Sequence, residues 1–334
     1  MSLLAQENGA ATYRFAFFMG LILVALGGGY IGRRTGVLNP AWSRRTMSTA
    51  IIGCDAPIAL LAIWFLAMDP SVWKVPVVGA GVGVLVCIIG LGVARLRRMA
   101  PAEAAVFGLQ GGMGNVGYTL GGAFCFMLWG IQGLALEQLF CMMWPFFAFL
   151  FCFPMARHYG EMGGGEACPV VSPLRFAART LWRSLIDLRS LPLYTATLGV
   201  LLNVGGFAPP ETVRQWGLID ALMVIGIVIQ FGSIGMTVRA RQIPVYWKMA
   251  LASCGLKLVL SPLLMLAAAL AMGMTGMPLY VCVLLGAMPT ALYSVLMANL
   301  FGLNRDLANT TFIVTHAIGL AVFIPGLLIF HLAI

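Results

Sequence analysis

Asp55, Lys257 and His316 are ionisable residues set inside long apolar stretches, and Asn115 and Thr290 stand beside glycine or proline in two others, with Tyr293 three residues after Thr290. A charge at the centre of a membrane helix costs about 2.5–3.5 kcal/mol on insertion scales, so such residues face the interior of a bundle. Asp55 could act there as a proton acceptor. Lys257 could be a fixed positive charge for a carboxylate, or a stand-in for a coupling cation. The plainer reading of the two is a structural ion pair. His316 suits either a hydrogen-bonded bundle position or a proton relay, and Asn203, Gln230, Ser233 and Thr315 are weaker candidates for the same interior. The three histidines are scattered and the eight cysteines form no C-x-x-C pair, so no metal site or cofactor is expected and the cysteines read as small apolar fillers.

The segment QGGMGNVGYTLGG, Gln110–Gly122, puts six glycines where a helix is required, and LYVCVLLGAMPTALYSVLMANLFG carries Pro289 in its middle. Glycine costs about 1 kcal/mol in a helix relative to alanine, and proline removes a donor and clashes with the preceding turn. In hydrocarbon the freed backbone groups must be satisfied by protein, water or ligand, so a broken helix at that depth is expected to line a cavity. Its half-helix N-termini would present amides and a positive dipole end to an anion. The residues expected at such a site are Asn115, Gly117 and Tyr118 from one stretch and Pro289, Thr290 and Tyr293 from the other. Gly117 with Gly121, and Gly28 with Gly32, also fit a small-xxx-small pattern for close helix packing.

The elements that hold these residues follow from composition. Of 334 residues 61% are hydrophobic and 9% charged, which excludes a soluble globular class. Apolar runs of about the 20 residues needed to cross roughly 30 Å of hydrocarbon recur ten times, near 14–32, 46–68, 73–95, 103–128, 134–156, 191–205, 215–238, 246–272, 279–301 and 308–332. The N-terminal residues lack a basic stretch and include Glu7, so the first run is expected to remain as a helix. The net charge of +9 does not point to nucleic acid, because sixteen of the twenty Lys and Arg fall in the odd-numbered loops. Those loops are expected on the cytoplasmic side of a bacterial-type inner membrane, with both termini outside. An even number of crossings must then separate the basic loops at 95–98 and 157–189, so the glycine-rich run has to cross.

The longest connection, after the fifth run, predicts a division into 1–157, a cytoplasmic linker at 158–190, and 191–334. Ser172-Pro173 followed by Arg175, Arg179 and Arg183 against Leu174, Leu181, Trp182, Leu185 and Leu188 predicts an amphipathic helix, either on an anionic leaflet or solvated as a linker. Five runs per half require that any repeat be inverted. GLILVALGGGYIGRRTGVLNP and LYTATLGVLLNVGGFAPP are weakly alike at the starts of the halves, and the fourth run then pairs with the ninth. The fold class expected is an all-α polytopic membrane protein.

GNVGYTLGG resembles the N-x-G-[FY] segment of the auxin efflux carrier family, within the bile acid/sodium symporter-like superfamily, and AMPTALYSVLMANLFGLNRDLANTT resembles that family's ninth helix and the turn into its tenth. CDAPIALL, FGSIGMTV and LKLVLSPLL extend the likeness over essentially the whole chain. The resemblance implies ten transmembrane helices in two inverted five-helix repeats, with helices 4 and 9 broken and crossing at the midplane, and transport of organic acid anions such as malonate-like dicarboxylates. Where the family usually has proline after Asn-x-Gly, this chain has Gly121-Gly122. Neither broken run has a carboxylate near its break, so coupling to protons or to membrane potential is favoured over sodium. Whether the chain forms a homodimer is left open. An intramembrane enzyme is disfavoured, since FGSIG lacks the G-x-S-x-G spacing and no metal cluster exists. A passive channel would need a continuous polar lining, and no P-loop is present for ATP drive.

Overall fold

The computed structural model describes residues 2–117, 119–163, 173–237 and 243–323, together with Gly326. Tyr118 and Ser172 lie outside the described residues. The longer helices among the described residues are α1 Ser2–Arg34, α2 Pro40–Trp64, α3 Lys74–Leu96, α4 Pro101–Gly112, α5 Gly121–Met162, α6 Pro173–Ile186, α7 Leu191–Val204, α8 Leu218–Gly235, α9 Ile243–Ala271, α10 Gly276–Gly286, α11 Leu292–Leu300 and α12 Arg305–Ile318. Each of the ten apolar runs contains helix. Among the described residues, six helical segments are long and apolar enough to cross a membrane: Phe15–Arg34, α2, α3, α5, α8 and α9. The fourth and ninth runs fall short because each is divided. Gly130, at φ 61 and ψ −145, splits α5, so 121–129 completes the fourth run and 131–162 forms the fifth.

Local chemistry sets several boundaries. The Asn39 side chain accepts from the Ala41 amide ahead of Pro40, and Asn304 accepts from Leu307 at the start of α12. Proline also shapes helix interiors. Wide π-turns at Ile51–Asp55, Phe147–Cys152 and Gly255–Leu260 each run into a helical segment with proline at its second residue, namely Pro57, Pro154 and Pro262. A proline ring cannot coexist with an undistorted turn before it, and the widened turn relieves the clash. Two of these turns carry Asp55 and Lys257.

The chain forms two compact units that draw on both sequence halves. The first comprises Met1–Val72, Gly117–Leu139 and Ile186–Val238. Within it α1 meets α8 where a Cβ on Gly29 would strike the Gly232 carbonyl and one on Gly235 the Leu26 carbonyl. The close approach falls on Gly29 and not on the expected pair: Gly28 has open space and Gly32 meets the Leu38 side chain just beyond its own helix, because the face that α1 turns to α8 is one residue out of register with the small-xxx-small spacing. Asn203 donates to the carbonyls of Ile63, Trp64 and Leu66 at 2.9, 3.0 and 2.7 Å, closing the C-terminal end of α2, and Ser233 bonds Thr46 at 2.6 Å. Both polar groups hold helices together.

The second unit comprises Trp73–Val116, Phe140–Leu185 and Arg239–Ile334. Here α3 and α4 touch backbone to backbone: a Cβ on Gly90 would lie 2.9 Å from Gly108 Cα. Outward faces of both units are apolar, including Leu198 and Leu201 on α7, Val77 and Ile88 on α3, and Val259 and Leu263 on α9. Exposed faces of this kind suit lipid rather than water. Gly90→Val should push α3 off α4 and cost about 1–3 kcal/mol. A melting temperature equal to wild type in detergent would show that the contact yields freely.

Candidate functional site

The second unit contains the meeting of the two breaks. After Gly112 the chain leaves the helix at Met113, with φ −91 and ψ 104, and after α10 it turns extended at Ala291, with φ −70 and ψ 140. Gly114 and Thr290 form an antiparallel bridge; the Asn115 amide donates to the Pro289 carbonyl at 2.7 Å and the Ala291 amide to the Met113 carbonyl at 2.9 Å. Backbone groups released by one break are thus satisfied by the other. Ser294 then stabilises the restart of α11, its amide and hydroxyl reaching the Ala291 carbonyl at 3.1 and 2.7 Å.

Side chains of α4 and α12 support this crossing. Thr315 lies 3.0 Å from the Thr290 hydroxyl and accepts from the Thr290 amide at 3.3 Å. The Asn115 amide nitrogen is 3.2 Å from His316 Nε2, and His316 Nδ1 is 2.7 Å from the Phe312 carbonyl. A neutral imidazole with its proton on Nδ1 meets both contacts, donating to Phe312 and accepting from Asn115. Gln110, fully buried, donates to the Ala308 carbonyl at 2.8 Å.

Lys257 is 2% exposed, and its ammonium is 3.4 Å from the Ser261 hydroxyl. A Cβ on Gly114 would sit 2.9 Å from Lys257 Nζ, so the ammonium lies against the crossing backbone where glycine leaves room. Lys257, Gly114, Val116, Phe140, Trp144 and Phe147 are among the walls of a cavity of about 20 Å³. Such a volume is water-sized. Tyr293 stands one layer back, its ring 4.8 Å from that of Trp144 and packed also on Phe149 and Phe153.

The remaining described candidates sit in the first unit. Gly117 has open space where a side chain would be. Asp55 is 2% exposed; one carboxylate oxygen accepts from Gln230 at 2.7 Å and Oδ2 has no hydrogen-bond partner among the described residues. Asp55 and Lys257 are therefore each hydrogen-bonded inside their own unit. Sequence reasoning missed Glu137, which is fully buried, accepts from Gln138 at 2.5 Å, and has Oε2 3.0 Å from where a Gly122 Cβ would be. Its place just past the expected start of the fifth run made it look like a rim residue. The adjoining Gln138, a second polar residue opening an apolar run, was the available signal.

A family model described as "Membrane transport protein" matches residues 216–327, a range that includes Lys257, Pro289, Thr290, Tyr293 and His316. Over 182 residues, 52% of this chain and 42% of the relative, the sequence is 24% identical to "Probable auxin efflux carrier component 9" of Oryza sativa subsp. japonica. Over 257 residues, 73% of this chain and 71% of the relative, it is 30% identical to the "Putative malonate transporter" of Rhizobium meliloti (strain 1021). The chain belongs to the auxin efflux carrier family. Members are membrane transport proteins, and this carrier's broken fourth and ninth runs meet through the residues that carried the resemblance. Thr315→Val in the carrier should cost about 1–3 kcal/mol by leaving the buried Thr290 amide without its acceptor. Thr315→Ser should restore the melting temperature; equal loss in both variants would mean that packing, not the hydroxyl, matters.

Proposed function

We propose that this carrier is a secondary transporter of small organic acid anions, working by alternating access through ten crossings in two inverted halves, 1–157 and 191–334. The observation that carries this reading is the Lys257 ammonium, buried against the Gly114 backbone at the helix crossing and bordering a cavity with otherwise largely apolar walls. One fixed cation in a low-dielectric cavity favours an anion with a small apolar body. At about 6 Å and an effective dielectric near 20, it contributes roughly 3 kcal/mol before desolvation is subtracted. The cavity is too small for a carboxylate as it stands, so loading requires the lining to open, as alternating access demands. Asn115, Pro289 and Thr290, with Tyr293 one layer back, are proposed to complete the site. The name of the bacterial relative makes malonate the first cargo to test. We place the protein in a bacterial-type cytoplasmic membrane with both termini outside, on the strength of its basic odd-numbered loops.

Coupling to protons through Asp55 or His316, or to membrane potential, is the first reading. A specific observation favours a second, sodium-coupled one: Glu137 supplies the carboxylate beside the fourth-run break that the broken runs themselves lack. Replacing sodium with choline in proteoliposomes at fixed pH and potential separates the two.

Binding of a panel of mono- and dicarboxylates to purified protein tests the central reading. Lys257→Met keeps most of the stem volume and should weaken the bound anion at least tenfold; unchanged affinity in a folded variant sinks the role of Lys257. Asn115→Ala removes a donor from the site and should cost about 1–3 kcal/mol of binding. Retained affinity together with a lowered melting temperature would assign Asn115 to holding His316 alone.

A further inference from the structure

The carrier's α6 helix has a face that neither the helix crossing nor the cavity uses. Its inner side is docked: Phe176 packs on Phe301 with ring centroids 6.3 Å apart, the Arg157 guanidinium lies 4.6 Å from the Phe176 ring centre, and Ala177 is buried. The outer side presents Arg179, Trp182, Arg183 and Ile186, at i, i+3, i+4 and i+7, all exposed. Trp182 and Ile186 are each 66% exposed and Leu188, just beyond, is 70% exposed. Arg189 extends the basic run, and Asp187 is the single acidic residue between Arg179 and Arg189.

A helix serving only as a solvated linker would carry polar groups on this face. Large apolar side chains interleaved with arginines instead match the boundary between headgroups and acyl chains, where an indole sits and guanidinium groups pair with phosphate. The surroundings fit as well. Leu191 begins the apolar helix α7 within a few residues, and its exposed Leu198, Leu201 and Val204 are a lipid-facing stripe, so the α6 face is tied close to a bilayer surface. The positive charge selects anionic headgroups over zwitterionic ones.

We infer that the exposed face of α6 is an interfacial docking surface for anionic phospholipid, with Trp182 and Ile186 entering the headgroup boundary and Arg179 and Arg183 binding phosphate. This inference is independent of which anion is carried.

The full-length protein in nanodiscs tests it. Trp182 emission, taken as the difference between wild type and Trp182→Phe, should shift to the blue and be quenched by brominated acyl chains in discs containing phosphatidylglycerol. The quenching should fall severalfold in pure phosphatidylcholine or in high salt. Arg179→Gln with Arg183→Gln should lose the phosphatidylglycerol effect with carboxylate affinity unchanged, while Arg179→Lys with Arg183→Lys should keep most of it. Equal accessibility of Trp182 to aqueous acrylamide in both lipids would make α6 a solvated linker and overturn the inference. Protection that rises with the number of protein copies per disc, regardless of lipid charge, would assign the face to a second protein and overturn it as well.

Discussion

Hydrocarbon offers no hydrogen bonds, and that one constraint governs the helix crossing in the second unit. A helix broken at membrane depth frees amides and carbonyls at a cost of several kcal/mol each. Here two broken segments meet the cost together, Asn115 donating to Pro289 and Ala291 to Met113 across the Gly114–Thr290 bridge. Either break alone would be unstable. Joined, they form a short extended crossing whose geometry fixes where Asn115, Thr290 and the backbone of Gly114 can stand, and a buried lysine occupies the space that glycine leaves.

Glycine and proline have separable tasks around this crossing. Gly90 and Gly108 bring α3 and α4 into backbone contact, and Gly112 fits against the Gly83 carbonyl and Cys87, whereas Gly114 makes room for the Lys257 ammonium. Small residues thus serve packing along the helix and the cavity at its end, two readings that sequence spacing alone sets against each other. Pro57, Pro154 and Pro262 act on the helices that do not break, widening the turn before each. Since Asp55 and Lys257 lie in such turns, distortion caused by proline displaces the side chains that bear charge.

The buried charges are divided by unit. The first holds the carboxyl groups of Asp55 and Glu137, each with a glutamine amide, and the second holds Lys257 with Ser261. A glutamine can lend a donor to a buried carboxylate without adding charge, which leaves the group responsive to a cation or a proton. A lysine bordering a water-sized cavity has the complementary property of attracting an anion.

Sequence alone determined the membrane class, the helical character of the ten runs, the two breaks and the family, because each depends on properties local to a segment: hydropathy over a helix length, a run of glycines, a proline with no donor. Asn115, Thr290 and Lys257 could be chosen the same way, as polar groups too costly to leave in lipid without purpose. Tertiary structure alone decided what those groups touch. It set Asn115 on His316, gave Asn203 to the end of α2, put Tyr293 behind Trp144, and brought Glu137 against Gly122. Glu137 was missed for a physical reason: a carboxylate near the start of a run reads as solvated until the turn at Gly130 folds that run back on the preceding half-helix. Hydropathy records how much a segment avoids water, and it carries no record of which neighbour replaces the water.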